Sequence, residues 1–425
     1  MRNLLLKIYR DDVRLALVIF VLALAPRAGL VLHFSGSDPV FSDLYYQLMA
    51  ENYAEGHGLG MPAVYEGAGR IYLRAFRPPL FPFLWGVVWK WTGKGWYTPI
   101  RLAHAVLSAL TCVLVFFVGQ RLLDRPSGLV GAILCSVFPS QIWHGVNLMT
   151  EPLFFFFLTL LVLLLLRLKD RPSAPVGLLA GASAALGVLS RSVLIGFVPL
   201  AAVWLAVVLP KRRWIALVFL AGFACAMSPW WVRNWQVFHH FVPTTTDGGH
   251  GFMIGNNERS RTDPRGVYVP EDWSFIKDVI HDELAINQRF YQRGLAFIKS
   301  HPGEWVRLAV DKFCRFWRFY PHADFVQRRY AILYGITYTA VFPFFVAGAL
   351  LAFFARGAQR GKLALILLLV AYMTAIHMLY IAVIRYREPL MPFLLCYAGY
   401  AVTRLLGAGK GPGPAPKEGE SAFFA

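Results

Sequence analysis

The chain has 425 residues, of which 57% are hydrophobic, 15% are aromatic and only 16% are charged. This composition excludes an ordinary soluble domain and is typical of a protein embedded in the lipid bilayer. The formal net charge of +18 does not indicate nucleic-acid binding, because much of the basic charge falls in short turns between apolar runs. Of the five cysteines, only Cys314 is predicted outside the membrane, so neither a disulfide framework nor a cysteine-type zinc site is expected.

The apolar runs predict about ten transmembrane helices, since each run is close to the length of about 20 residues that crosses a bilayer. In chain order the predicted spans are residues 12–31, 100–123, 128–143 and 152–168, two spans flanking residues 190–192, then 214–231, 330–354, 363–384 and a span ending near residue 406. The predicted fold class is therefore an all-α polytopic membrane protein with two large outer segments.

Basic residues set the predicted orientation. When ten spans are counted, the basic residues before the first span and those of four later turns fall on one side: Arg2, Lys7, Arg10, Arg14, Arg125, Lys169, Arg171 and residues 211–213 and 356–362. By the positive-inside rule this side is cytosolic, so both termini are predicted in the cytosol. The first apolar run has no convincing small-residue cleavage site and is interpreted as the first span rather than as a signal peptide.

Four segments follow from this topology. Residues 1–231 are predicted as a membrane domain whose first outer loop, 32–99, is catalytic. Residues 232–329 are predicted as an outer hydrophilic segment with a Gly/Asn-rich loop and amphipathic helices, and residues 330–406 as the C-terminal spans. Residues 407–425 are predicted as a disordered cytosolic tail, because they are rich in Gly, Pro and Lys without periodicity.

Two acidic residues on the predicted outer side are candidates for chemistry. Asp43 follows the first span, is flanked by aromatic residues and precedes a stretch with helical spacing. It serves either as a reactive base or as a helix cap or arginine partner. Glu151 lies in the short loop before the fourth span and stands apart from other outer acids. It either takes a direct part in function or pairs with Arg191 or Arg233.

Four motifs together resemble the GT-C glycosyltransferases of the protein-O-mannosyltransferase and aminoarabinose-transferase type. They are Ser42-Asp43-Leu44-Tyr45-Tyr46, Arg77-Pro78-Pro79-Leu80-Phe81-Pro82, Thr150-Glu151-Pro152-Leu153, and Pro229-Trp230-Trp231-Val232-Arg233-Asn234 with the downstream Gly255-Asn256-Asn257. The resemblance covers roughly residues 12–405. Leu44 and Phe76 stand where these two types often have acids, so the acceptor does not follow from the resemblance.

The resemblance implies an enzyme that moves a sugar from a polyprenyl-phosphate donor to a protein, lipid or envelope-glycan acceptor at the outer face of the membrane. It also implies a bacterial inner membrane with the site facing the periplasm. Such a transfer needs a base for the acceptor hydroxyl and positive charge for the departing phosphate. Asp43 is the expected base of an inverting single displacement, and Glu151 is the second catalytic candidate.

Outer cations and polar side chains complete the predicted site. The candidate contacts for the donor phosphate and lipid are Arg77, Arg191, Arg233, Arg385 and Arg387. Arg77 is the first choice, because two prolines fix the backbone after it, and Arg387 is the second. The candidate substrate contacts are Tyr45, Tyr46, Asn234, Asn256 and Asn257. No particular cofactor follows from the sequence, and a divalent metal between Asp43 and Glu151 is the one considered.

A transporter or flippase of a lipid-linked or small solute is the main alternative. Transporters commonly place ionisable residues near the bilayer midplane and contain internal repeats. In this chain the candidate acids lie at outer span ends and no repeat is visible, which favours the enzyme. A polymerase or ligase of lipid-linked glycans and a non-catalytic membrane assembly factor also stay open.

Overall fold

The structure is a computed structural model that describes residues 11–35, 43–263, 268–321, 328–354 and 360–407. Several residues used in the sequence analysis lie outside this part of the chain, namely Arg2, Lys7, Arg10, Ser42, Arg356 and the predicted tail beyond Gly407. The described residues are mostly helical. This confirms the predicted class of a helical polytopic membrane protein.

The described α-helices follow one another with short connections except on the outer side. In chain order they are α1 (Asp12–His33), α2 (Leu44–Ala54), α3 (Leu80–Thr92), α4 (Thr98–Leu122), α5 (Arg125–Val137), α6 (Pro139–His144), α7 (Glu151–Asp170), α8 (Ala174–Ser190), α9 (Phe197–Val208), α10 (Trp214–Phe238), α11 (Gly248–Gly255), α12 (Glu283–Ser300), α13 (Pro302–Phe316), α14 (Arg328–Phe354), α15 (Arg360–Leu379) and α16 (Met391–Leu405). Six of them, α1, α4, α7, α10, α14 and α15, are long and apolar enough to cross a membrane. The count of ten spans stays a prediction.

Two differences from the predicted spans bear on the candidate site. The third span, predicted over residues 128–143, is divided into α5 and α6, because Phe138 is extended and Pro139 has no N–H to continue the helix. The helix α10 continues to Phe238, beyond the predicted end at residue 231. Arg233 and Asn234 therefore lie on the end of a helix rather than in an outer loop.

The first outer segment contains more regular structure than the sequence predicted. The predicted helix after Asp43 is confirmed as α2, and Asp43 caps it by accepting a hydrogen bond from the N–H of Tyr45 at 3.0 Å. An antiparallel hairpin follows, formed by β1 (Met61–Tyr65) and β2 (Gly69–Leu73). Neither this hairpin nor α3 was predicted, so the all-α description holds for the membrane helices and not for the outer side.

Aromatic packing joins the hairpin to the second outer segment. The ring centroids of Tyr65 and Trp273 are 5.1 Å apart in an edge-to-face arrangement, and both rings also contact Phe290 of α12. Each such pair contributes about 0.5–1.5 kcal/mol beyond the area that it buries. The contact brings the residues that follow the hairpin against the second outer segment, and the functional candidates lie there.

Glycines let α8 and α10 cross closely. A Cβ at Gly181 would lie 2.1 Å from the carbonyl oxygen of Phe219, and one at Gly222 would lie 2.4 Å from that of Leu178. Small residues allow such close backbone approach in a bilayer, where apolar burial alone gives helices little reason to associate. This crossing packs α8, which Arg191 directly follows, against α10.

Candidate active site

Arg77 lies between two carboxylates. Its Nη2 is 3.4 Å from Oδ2 of Asp43, and its Nη1 is 3.1 Å from Oδ2 of Asp247. The three side chains are between 20% and 24% exposed, so solvent can still reach them. We call Asp43, Arg77 and Asp247 the acidic cluster, because it holds two negative charges and one positive charge.

Each carboxylate of the acidic cluster is oriented by a second contact. Asp43 uses Oδ1 to cap α2, which leaves Oδ2 for Arg77. Asp247 immediately precedes α11, and its Oδ1 accepts a hydrogen bond from the hydroxyl of Thr245 at 2.5 Å. The Thr245 hydroxyl is also 3.0 Å from that of Ser192. The cluster is therefore connected to the turn that follows α8.

Aromatic rings surround the guanidinium of Arg77. Its Cζ is 5.2 Å from the ring centroid of Tyr45, 5.3 Å from that of Phe76 and 5.9 Å from that of Tyr46. Such contacts favour a cation over the ring faces. Burial alone lowers the pKa of Arg77, but the negative charge of Asp43 and its other neighbours raises it further, so the pKa lies above its usual value. The guanidinium stays charged.

Two titratable neighbours of the acidic cluster are neutral at pH 7. Burial is the main cause that raises the pKa of Tyr46, so its hydroxyl keeps its proton. Burial, with a smaller contribution from Arg77, lowers the pKa of His250 to about 4. The His250 ring packs on Phe76 with centroids 5.7 Å apart. The acidic cluster therefore keeps a surplus of one negative charge.

Glu151 lies between two arginines. Its Oε1 is 3.3 Å from Nη1 of Arg191 and 3.0 Å from Nε of Arg385. The Glu151 side chain is only 1% exposed, whereas that of Arg385 is 37% exposed. Its Oε2 is buried and has no hydrogen-bond partner among the described residues. We call Glu151, Arg191 and Arg385 the basic cluster, because it holds two positive charges and one negative charge.

The ring of Tyr386 contacts both arginines of the basic cluster. Its ring centroid is 5.0 Å from Cζ of Arg191 and 5.6 Å from Cζ of Arg385. Burial alone lowers the pKa of Arg385, but Glu151 and, more weakly, Asp43 raise it above its usual value. The contribution of Asp43 means that the two clusters interact through space.

Arg233 and Asn234 make contacts within the protein at the end of α10. Arg233 donates to Oδ1 of Asn234 at 3.0 Å, and its Cζ lies 4.8 Å from the ring centroid of Trp230. The amide of Asn234 donates to the carbonyl of Val242 at 3.1 Å. These contacts close the turn after α10. Of the two partners considered for Glu151, the structure pairs it with Arg191 and gives Arg233 other contacts.

Asn256 and Asn257 hold together the loop after α11. Oδ1 of Asn256 accepts from Nζ of Lys312 at 2.9 Å and from Nε1 of Trp305 at 3.2 Å. Its amide donates to two backbone carbonyls. Asn257 donates to the carbonyls of neighbouring turns and accepts from two backbone N–H groups. These contacts give no support to the prediction that Asn256 and Asn257 contact the substrate.

Arg387 is fully buried in a separate network. It donates to the carbonyls of Phe316 and Arg318 and to the hydroxyl of Tyr334. The adjacent Glu388 also contacts that hydroxyl and accepts from side chains of α6. This network ties α6 and α14 to the start of α16. The predicted phosphate contact of Arg387 receives no support.

Asp247 is the functional candidate that the sequence analysis did not select. The segment Thr244-Thr245-Thr246-Asp247-Gly248-Gly249 was visible as a polar stretch after a span, but no role followed from it. Its partner Arg77 lies 170 residues earlier in the chain. The available signal was an acid placed directly before a glycine-initiated helix on the same predicted side as Asp43 and Arg77.

The donor set does not fit the divalent metal considered from the sequence. Within the described ranges no group of three or more His, Cys, Asp or Glu side chains could hold a metal ion. Asp43 and Glu151 belong to different clusters, and the guanidinium of Arg77 already occupies the place between the two carboxylates of the acidic cluster.

Comparisons with known proteins give the fold. Residues 76–232 match the family model of dolichyl-phosphate-mannose-protein mannosyltransferases. The structure is similar to an oligosaccharyltransferase of Archaeoglobus fulgidus in complex with Zn and sulfate, with a TM-score of 0.57 and 15% identity. It is also similar to the same protein in complex with an inhibitory peptide and a dolichol-phosphate, with a TM-score of 0.56 and 14% identity. Both matches cover 92% of this chain, and they cover 49% and 50% of the archaeal protein.

The chain thus spans about half the length of the oligosaccharyltransferase that it matches. ArnT from Cupriavidus metallidurans bound to undecaprenyl phosphate matches at 15% identity over 92% of this chain and 77% of that one, with a TM-score of only 0.38. No curated protein matches the chain.

The protein is an integral membrane protein with the GT-C fold. Its match to the mannosyltransferase family model lies within this fold and includes Arg77, Glu151 and Arg191. The chain accordingly has the fold that the resemblance of its four motifs implied.

Proposed function

We propose that this protein transfers a sugar from a polyprenyl-phosphate donor, with Asp43 as general base and with Arg191 and Arg385 as the phosphate contacts. The observation that carries the proposal is the opposite surplus charge of the two clusters. A base that removes a proton needs negative charge, and a departing phosphate needs positive charge. The dolichol-phosphate bound to the similar oligosaccharyltransferase supports this class of donor.

The proposed step is a single displacement at the anomeric carbon. The acceptor hydroxyl gives its proton to Asp43 while its oxygen attacks that carbon. The bond between the anomeric carbon and the donor phosphate oxygen breaks, and the electron pair leaves with the phosphate. Arg385, the more exposed arginine of the basic cluster, meets the growing charge with a guanidinium fork.

Arg77 receives a different role from the one predicted from its sequence. Two carboxylates already neutralise it, so it has no free charge for a phosphate in this arrangement. We assign it to holding Asp43 in place for the acceptor. Tyr45 and Tyr46, which pack on Arg77, are proposed to bound the acceptor site.

We further propose that both clusters face the outside of a bacterial inner membrane and that both termini are cytosolic. The helix α7 supports this orientation, because Glu151 begins it and the basic turn at Lys169 ends it. A cysteine placed at the exposed Ser300 should react with an impermeant reagent added outside, and one placed at the exposed Arg212 should not. Both labelling experiments use a variant in which the exposed Cys225 and Cys314 have been replaced. The reverse labelling pattern contradicts the orientation.

A reconstituted assay tests the enzyme against the transporter. Mass spectrometry of the lipid that co-purifies with the protein selects the polyprenyl-phosphate sugar to be supplied in vesicles. The proposal predicts release of free polyprenyl phosphate together with sugar on a protein, lipid or glycan acceptor. Sugar movement into the vesicles without release of polyprenyl phosphate contradicts the enzyme and supports the transporter alternative.

A further inference from the structure

We propose that Glu283 is a positioning residue that sets the geometry of Arg77 and its two carboxylates. It lies outside both clusters, at the first position of α12, and is only 7% exposed. The kinetic test of this proposal rests on the proposed function. Its structural test depends only on the contacts of Glu283.

The carboxylate of Glu283 joins two distant segments of the chain. Its Oε2 accepts from the N–H of Arg74 at 2.6 Å, and its Oε1 accepts from the N–H of Ala75 at 3.0 Å. Oε1 also accepts a hydrogen bond from the hydroxyl of Thr246. The N–H of Thr246 donates to the carbonyl of Ala75 at 2.9 Å, which closes the connection. One buried carboxylate thus fixes both backbones.

The two fixed segments carry the two partners of an ion pair in the acidic cluster. Ala75 precedes Arg77 by two residues, and Thr246 directly precedes Asp247. The 3.1 Å distance between Arg77 and Asp247 therefore depends on a backbone register that Glu283 holds. Misplacement of a catalytic group by about 1 Å can lower a rate on the order of 100-fold, so this register matters for turnover.

Asp282 provides a matched control. It is the neighbouring acid, but its carboxylate accepts from the N–H groups of Leu284 and Ala285 and so caps its own helix. Removal of its charge perturbs the start of α12 to a similar degree and leaves the contacts to Arg74 and Ala75 intact. A general effect of weakening α12 should therefore appear in both variants, and a positioning effect only in one.

Glu283→Gln is the first variant, because its amide nitrogen cannot accept a hydrogen bond and one of the two backbone N–H groups loses its acceptor. We expect a fall of roughly tenfold in turnover with the donor KM unchanged. In an Arg77→Ala background the same change should cause no further fall, and Asp282→Asn should keep the wild-type rate. Equal fold losses in both backgrounds, or an equal loss in Asp282→Asn, overturn the proposal.

Thr246 provides a second route if Glu283→Gln does not fold. Thr246→Ser keeps the hydroxyl and should retain wild-type turnover, whereas Thr246→Val should lose it to a similar extent as Glu283→Gln. Equal activity of the two Thr246 variants contradicts the proposed connection.

Amide hydrogen exchange tests the contacts without reference to chemistry. The amides of Arg74 and Ala75 should exchange faster in Glu283→Gln than in the wild type, and at the wild-type rate in Asp282→Asn. Unchanged protection in Glu283→Gln overturns the inference. A wild-type protein that transfers no sugar contradicts the proposed function instead, and the exchange result still decides whether Glu283 holds this register.

Discussion

The acidic and basic clusters use the same ion-pair chemistry with opposite stoichiometry. In one, a single arginine lies between two carboxylates, and in the other a single carboxylate lies between two arginines. A paired charge is largely neutralised by its partner, so the surplus charge is what a ligand meets. The comparison therefore supports the proposal that Asp43 and Arg385 act on different halves of the reaction.

The two clusters also differ in exposure and are not independent. The acidic cluster is about one-fifth exposed throughout, whereas the central Glu151 is buried and only its partner Arg385 is open. Their opposite surpluses attract one another, and the hydroxyls of Ser192 and Thr245 connect the turn after Arg191 to Asp247. Asp43 also contributes to the raised pKa of Arg385, so changes in one cluster should be felt in the other.

Removal of the negative charge of Asp43 should have the largest effect. Asp43→Asn keeps the size of the side chain and its capping oxygen, so we expect the protein to fold and insert normally. Turnover should fall by at least about 100-fold, because the acceptor loses its base. Release of polyprenyl phosphate measures the loss. Glu55→Gln, at the exposed end of the same helix, is the control and should keep the wild-type rate. Near wild-type turnover in Asp43→Asn removes the acidic cluster from proton transfer.

Arg385→Ala should have the next largest effect, since it removes the open cation of the basic cluster. We expect turnover to fall by roughly 10- to 100-fold, because a positive charge that meets the leaving group stabilises the transition state. Arg385→Lys should retain part of the activity, because it keeps the charge and loses the fork. Arg289→Ala, a surface arginine that pairs with Asp278, is the control. Wild-type turnover in Arg385→Ala, with the loss appearing in Arg77→Ala alone, restores Arg77 as the phosphate contact.

Glu151→Gln removes the single negative charge of the basic cluster, whereas Arg385→Ala removes one of its two positive charges. Glu151→Gln leaves two arginines without a countercharge, so thermal unfolding of the detergent-solubilised protein should begin at a lower temperature. The same change adds to the surplus positive charge, and the apparent affinity for polyprenyl phosphate should rise on the order of tenfold, which is about 1.4 kcal/mol. A complete loss of turnover with affinity unchanged instead favours the direct catalytic role predicted for Glu151 from the sequence.

Asp247→Asn should have the smallest effect and sharpens the comparison. The acidic cluster loses its surplus charge, and Arg77 is left to pair with Asp43 alone. Asp43 then becomes a weaker base, and we expect turnover to fall by roughly threefold, within the range expected for a partly exposed pair. Steady-state kinetics at fixed pH measures the change. A fall as large as that in Asp43→Asn makes Asp247 an equal candidate for the base.

The sequence predicted the class of helical polytopic membrane protein because apolar length is a local property of the chain. It also placed Asp43, Glu151 and the candidate arginines on one side. It missed the hairpin of β1 and β2, whose short strands carry no strong alternation, and it missed the partnership of Arg77 with Asp247.

The differences between the predicted and the observed side-chain partners share one physical cause. The partner of each charge depends on how helices cross and how the two outer segments pack, which sequence spacing does not report. Asn256 and Arg387 were sensible choices by residue type and predicted side, yet the fold directs their polar atoms to Lys312 and to backbone carbonyls. The stoichiometry of the two clusters became visible only when these partners were known.

The most direct test of the account is an experimental density map of the protein with polyprenyl phosphate bound. The account predicts phosphate oxygens within about 3 Å of guanidinium nitrogens of Arg385 and Arg191, with Asp43 still paired to Arg77. A phosphate bound instead by Arg77, with Asp43 or Asp247 displaced from it, contradicts the division of the reaction between the two clusters.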